Sequence, residues 1–225
     1  MKTIEKIRRI AFMTVIAALT AAMHASCNSD DDNEPAAPKA EALVTFDGNI
    51  GENAYFTYLS KDDGPTLTLY SSRKMPEDIN KGQRMVISYN PGTQGINNSG
   101  MIELMSYRTV PTEVVQVVPT AEAQAANAAM NLYEIYRTGT YINVNATLPI
   151  VEGRTFSIYA DEATMESGMP HLYVTTTAPT GDAPYKLAVL SSYDITSVWR
   201  NPSVRGVTVH INNTSSDTKT FEFLK

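Results

Sequence analysis

The chain has 225 residues, and its 18 lysines and arginines stand against 24 acids for a net charge of −6. Nucleic-acid binding needs a basic patch that displaces counterions from phosphates, and the densest basic spots here are pairs such as Arg73-Lys74. That excludes a nucleic-acid partner and adhesion to anionic lipid by charge alone. The single cysteine, Cys27, excludes an internal disulfide, so burial must hold the folded part together.

In chain order, the first element is an export signal. Lys2, Lys6, Arg8 and Arg9 give a basic start, residues 10–23 an apolar run, and Ala25 and Ser26 a small-residue exit. A membrane span needs about 20 apolar residues to cross ~30 Å of hydrocarbon, so this run is too short to stay in the bilayer. Cys27 directly after it resembles the lipobox cysteine of bacterial lipoproteins, which is acylated and becomes the mature N-terminus. His24 departs from that pattern, standing where Leu, Val or Ile is usual, although relaxed lipoboxes occur in the Bacteroides group. Asp30, Asp31, Asp32 and Glu34 resemble the acidic tag that sends lipoproteins of that group to the cell surface. The resemblance implies a signal peptide over 1–26, palmitate or a similar acyl group on Cys27, and an outer-membrane protein facing outward. The membrane partner is then reached through lipid. Loss of residues 1–26 would leave 14 basic against 23 acidic residues.

Residues 27–42 read as an acidic linker in which Pro35 and Pro38 discourage helix. Residues 43–225 are enough for one large β domain or two small ones. Short runs rich in β-branched and aromatic residues predict strands over 43–47, 54–60, 66–70, 84–89, 101–108 and 114–118. Lys61-Asp62-Asp63-Gly64 reads as a hairpin turn through Asp-Gly. The alanine-rich stretch 119–132 is either a linker or a short helix capped by Thr120. Further strands are predicted over 133–137, 140–148, 155–160, 171–177, 186–192, 206–212 and 218–224. In the second of these, Ile142, Val144, Ala146 and Leu148 share one face, and Tyr141, Asn143, Asn145 and Thr147 the other. Strands spaced every 8–12 residues or so indicate an all-β antiparallel sandwich or barrel.

Several segments resemble the NigD-like lipoproteins of Bacteroides and relatives. They are residues 58–67 (YLSKDDGPTL), 81–85 (KGQRM), 139–144 (GTYINV), 193–195 (YDI) and 206–209 (GVTV). That resemblance implies an OB-like small barrel over 43–118, a linker or helix over 119–132, and a C-terminal antiparallel β-sandwich over 133–225. It implies no activity.

The residues offer little catalytic chemistry. His171 and His210 are predicted on the outward faces of their strands. Two histidines without a cysteine fall short of a zinc set, so no metal and no cofactor are expected. No G-x-S-x-G elbow, Walker pattern or dinucleotide glycine pattern occurs. Asp62/Asp63 and Asp161/Glu162 are adjacent acid pairs, but neighbours on a strand point to opposite faces. Tyr141 and Tyr159 are expected to project outward, where a ring with a polar tip suits contact with sugar or protein, although sheet packing explains them as well. Trp199 anchors either a core edge or a ligand. The expected function is a non-catalytic binding or accessory module for a protein, glycan or envelope component. The alternative is a carbohydrate hydrolase, which must show two carboxyls across a groove, roughly 5–9.5 Å apart.

Overall fold

The computed structural model describes residues 39–92, 98–149, 151–178 and 185–225. The signal peptide, Cys27 and the acids at 30–34 lie outside the described residues.

The first half forms one sheet from β1 (Ala40–Ile50), β2 (Asn53–Leu59), β3 (Thr66–Ser71), β4 (Arg84–Asn90), β5 (Gly100–Met101) and β6 (Glu103–Thr109). Its spatial order is β5-β3-β2-β1-β4-β6. Strict alternation drives it: Ala42, Val44 and Phe46 of β1 are buried with Ala54 and Phe56 of β2 and Met85, Ile87 and Tyr89 of β4. Leu69, Met75, Ile102 and Leu104 complete this core. The small barrel implied by the family resemblance is not closed, because β5 and β6 each have a single strand partner. β5 is two residues long, and β6 after Leu104 is exposed along its whole length, so neither edge carries an apolar row to seal a ring.

The second half is a sandwich. One sheet holds β7 (Thr112–Val114), β13 (Lys186–Asp194), β10 (Tyr141–Pro149) and β9 (Asn131–Thr138) in that order. The other holds β15 (Thr220–Leu224), β14 (Gly206–His210), β12 (His171–Thr177), β11 (Thr155–Asp161) and β8 (Gln116–Val118). Ile142, Val144, Ala146 and Leu148 face inward as their spacing predicts and pack with Ile158, Leu172, Val174, Val207 and Val209. The all-β expectation holds.

Two details differ from it. Residues 112–118, expected in the first unit, belong to the sandwich: β7 pairs with β13, the chain turns at buried Val115, and β8 pairs with β11 in the opposite sheet. Both of those pairings are parallel, as is β12 with β14, so the sheets are mixed rather than purely antiparallel. β12 and β14 run parallel because the strand between them in sequence, β13, crosses to the other sheet.

The alanine-rich stretch begins with a short helix, α1 (Thr120–Ala125). Thr120 is its first residue rather than its cap, and the Thr120 hydroxyl donates to Asp161 Oδ1 at 2.6 Å. The stretch is docked on the sandwich: Ala123 is buried, Ala128 N–H donates to Thr175 Oγ1, and Met130 N–H to the Asn212 carbonyl.

A hairpin tip ties the first sheet to the sandwich. Asp62 and Asp63 take φ of 51° and 59°, so the turn is centred on Asp-Asp instead of Asp-Gly. Two positive φ values in a row give the twist that matches β2 to β3. Asp62 N–H donates to the Arg137 carbonyl, and Lys61 bridges with Thr138 of β9. Gly139 favours this approach: its φ is 56°, and a Cβ there would lie 2.9 Å from Leu59 Cδ1, whose side chain would have to shift.

Candidate functional site

Register across the five-stranded sheet assembles a row that no single segment contains. Gln116 pairs with Tyr159, Tyr159 with Tyr173, Tyr173 with His210, and His210 with Thr220. Directly opposed residues share a face, so these side chains line the outer surface of the sheet. The rings of Tyr173 and His210 are stacked, 4.5 Å apart and 13° from parallel. The ring of His171, on the same strand as Tyr173, also lies near His210, tilted and 4.9 Å away.

The stretch after α1 rises beside this row and makes a hollow of about 380 Å³. Tyr173 and His210 line it together with Gln124, Ala126 and Asn127 on one wall and Ile211, Asn212 and Lys219 on the other. Asn212 Nδ2 donates to the Asn127 carbonyl at 3.0 Å, which ties the two walls together and leaves the Asn212 amide oxygen unengaged by that bond.

His210 is the most perturbed group here. Burial, and then the neighbouring His171, push its pKa below the ordinary histidine value, so the ring is neutral near pH 7. Its Nδ1 lies 3.5 Å from Thr220 Oγ1, while Nε2 is buried and finds no hydrogen-bond partner among the described residues. A buried polar atom left without any partner, water included, costs about 1–3 kcal/mol. The pair does not make a metal centre: no group of three His, Cys, Asp or Glu able to hold an ion occurs among the described residues.

A second hollow, of about 360 Å³, lies between β9 and β15 and is lined by Leu132, Ile135 and Phe221 with exposed Tyr133. Its one carboxylate, Glu134, is ion-paired with Lys61. Neither hollow sets two carboxyls against each other.

The three candidate aromatics separate. Tyr159 stands in the row beside Tyr173. Tyr141 and Trp199 instead serve the joint between the sheets. Tyr141 lies against Arg84, with the guanidinium 4.6 Å from its ring centre. Trp199, in the short helix α2 (Thr196–Trp199), faces Arg137 at 4.4 Å and Lys225 at 5.7 Å. Both arginines are buried, against the usual habit of the residue. Arg137 has a carboxylate partner in Asp63, which it meets with both terminal nitrogens. Arg84 has none among the described residues: it donates to Thr45, Thr138 and Asn143, and burial pushes its pKa down to about 10. The sequence reading missed Arg84, Arg137, Tyr173 and His210 as a set, since only register and docking bring them to their partners.

No protein-family model matches the sequence, and no curated protein does. Solved structures do match. One is a protein of unknown function, DUF1344, from Bacteroides vulgatus ATCC 8482, with a TM-score of 0.66 and 18% identity over 84% of this chain and 91% of that one. A NigD-like immunity protein from Bacteroides caccae ATCC 43185 has a TM-score of 0.55 at 15% identity, covering 84% and 93%. The chain has the NigD-like fold. A candidate lipoprotein from Bacteroides fragilis NCTC 9343 shares that fold, with a TM-score of 0.54 at 13% identity over 84% and 96%. The resemblance read from short turn and strand motifs therefore holds at the level of architecture. At these identities the NigD-like fold brings no activity with it.

Proposed function

We propose that this chain is a lipid-anchored envelope protein, facing outward, that binds its ligand without converting it, in the hollow over Tyr173 and His210. The observation that carries this is the lining itself: a stacked ring pair, three amides and one lysine, with no carboxylate. Glycoside hydrolysis requires an acid and a second carboxyl facing it, so the hollow lacks the parts for the alternative reading. Cys27 supplies the anchor, and Asp30, Asp31, Asp32 and Glu34 supply the export tag. Among the described residues no helix is long and apolar enough to cross a membrane. Strand β1 takes up residues 40–42 of the expected linker, so the tether of residues 28–39 extends at most about 43 Å, enough to let the folded part reach partners near the membrane. The NigD-like immunity protein and the candidate lipoprotein of the same fold support an accessory role at the envelope.

Feeding cells an alkyne fatty acid should label the wild-type protein and leave Cys27→Ala unlabelled. Protease added to intact cells should degrade the wild type, and alanine at all four acids should protect it. Equal labelling of both proteins, or a wild type resistant on intact cells, would refute the anchored or the outward-facing part respectively. Hydrolysis of a glycan, lost on mutating one pair of carboxylates, would refute the non-catalytic part.

A further inference from the structure

We infer that the ligand of the hollow is an uncharged carbohydrate, which deepens, and rests on, the reading of that hollow as the binding site. The hollow lies on the face of interior strands: β12 is hydrogen-bonded to β11 and β14, and β14 to β12 and β15. Their backbone groups are occupied, so a peptide cannot bind here by adding a strand, the mode that makes extended peptides easy to recognise. Recognition falls to side chains, and those present are flat. Tyr173 and His210 are stacked on each other, and the ring surface left outside that stack is what they offer to the apolar C–H face of a sugar. Gln124, Asn127 and Asn212 bring planar amides, each with donors and an acceptor, suited to hydroxyls on adjacent ring carbons.

The charges fit the same ligand. Lys219 is the one permanent charge lining the hollow, and it is exposed. The nearby acids do not line it. Asp161 of β11 is buried and accepts from the Thr120 hydroxyl and the Ala163 amide. Glu222 of β15 is exposed and pairs with Thr208, one row away from His210. A volume near 380 Å³ sits at the small end of ligand pockets and suits a short saccharide.

The test uses the full chain in Triton X-100, a detergent without sugar, and titration calorimetry. The probes are gluco-, manno-, galacto-, xylo- and N-acetylglucosamine oligomers, oligogalacturonate, and a mixed hexapeptide pool. At least one uncharged series should bind. Tyr173→Ala should weaken that binding roughly tenfold or more, Gln124→Ala should weaken it less, and Tyr133→Ala in the other hollow should leave it unchanged. Thermal melts identify any variant that fails to fold, and Gln124→Ala then carries the test. Binding of oligogalacturonate or peptide alone, lost in Tyr173→Ala, overturns the inference of an uncharged carbohydrate and leaves the hollow as the site. Binding by no probe, or binding that survives both Tyr173→Ala and Gln124→Ala, overturns the inference and the reading beneath it.

Discussion

Replacing Asp63 by Asn should weaken the joint between the first sheet and the sandwich by a predictable amount. The Arg137 side chain is 3% exposed and that of Asp63 60%, so the pair is dry on one side and wet on the other. Removing one partner of a fully buried pair costs about 3–5 kcal/mol, and an exposed pair is worth about 0–1. Here Arg137 would keep its bond to the Gly139 carbonyl at 2.7 Å and its place over Trp199, and water can reach the Asp63 side. The expected loss is therefore about 1–3 kcal/mol, or roughly 2–12 °C in Tm for a chain of this size. Asparagine is the right probe because it tolerates the φ of 59° at this position, whereas alanine would add left-handed strain. Urea denaturation of Asp63→Asn, Arg137→Met and the double variant gives the coupling energy directly. The pH dependence supplies a second check. The hydrogen bond from Arg137 holds the Asp63 pKa below the usual carboxylate value. The stabilisation is thus complete above the unfolded-state pKa and is lost as pH falls through the folded one. Asp63→Asn should remove that part of the acid limb. A loss under about 0.3 kcal/mol with no coupling to Arg137 would refute the joint as described.

Arg84→Met should be close to neutral, within about 1.5 kcal/mol, because Asn143 and Thr138 keep other partners (Ser192 to Asn143 at 2.7 Å, Asn143 to Thr138 at 2.9 Å) and the desolvation of a lone guanidinium is relieved. Arg84→Ala should cost about 2–5 kcal/mol through the space it leaves, and equal effects of the two in urea denaturation would count against this account. The depressed pKa of His210 means that the unfolded chain takes up a proton first as pH falls. Stability should thus be full above the ordinary histidine pKa and decline below it, and His210→Gln should flatten that decline in urea midpoints measured between pH 7.5 and 5.

Where a strand has one dry and one wet face, its sequence can be read directly, and β10 shows the limit of that reading. Its core face emerged from alternation alone, because Ile142, Val144, Ala146 and Leu148 need only a neighbouring sheet. Its other face was assigned to solvent, yet Asn143 is fully buried there. The cover comes from Arg84, 59 residues earlier, and no local pattern announces it. Arg84 itself reads as a surface residue, since a buried arginine without a carboxylate violates the rule that sequence reading depends on.

The aromatic candidates follow the same logic. Tyr141, Tyr159 and Trp199 carry the same signal, a ring near a strand end or on an outward face, and their fates are decided by what docks on them. The hairpin tip that brings Asp63 to Arg137 helps make the joint around Trp199, while Tyr159 stays in the open row. Tyr173 and His210 stand 37 residues apart in sequence and meet only because β13 leaves for the other sheet, which lets β14 lie against β12 in parallel. A one-residue slip in that pairing would turn His210 inward and Val209 outward, breaking the core and the hollow together. The inward row of Val207, Val209 and Ile211 thus holds the register by burial, and the outer ligand-facing row inherits its position from it. In this fold the specificity of the candidate site is a by-product of core packing on the opposite face of the same strands.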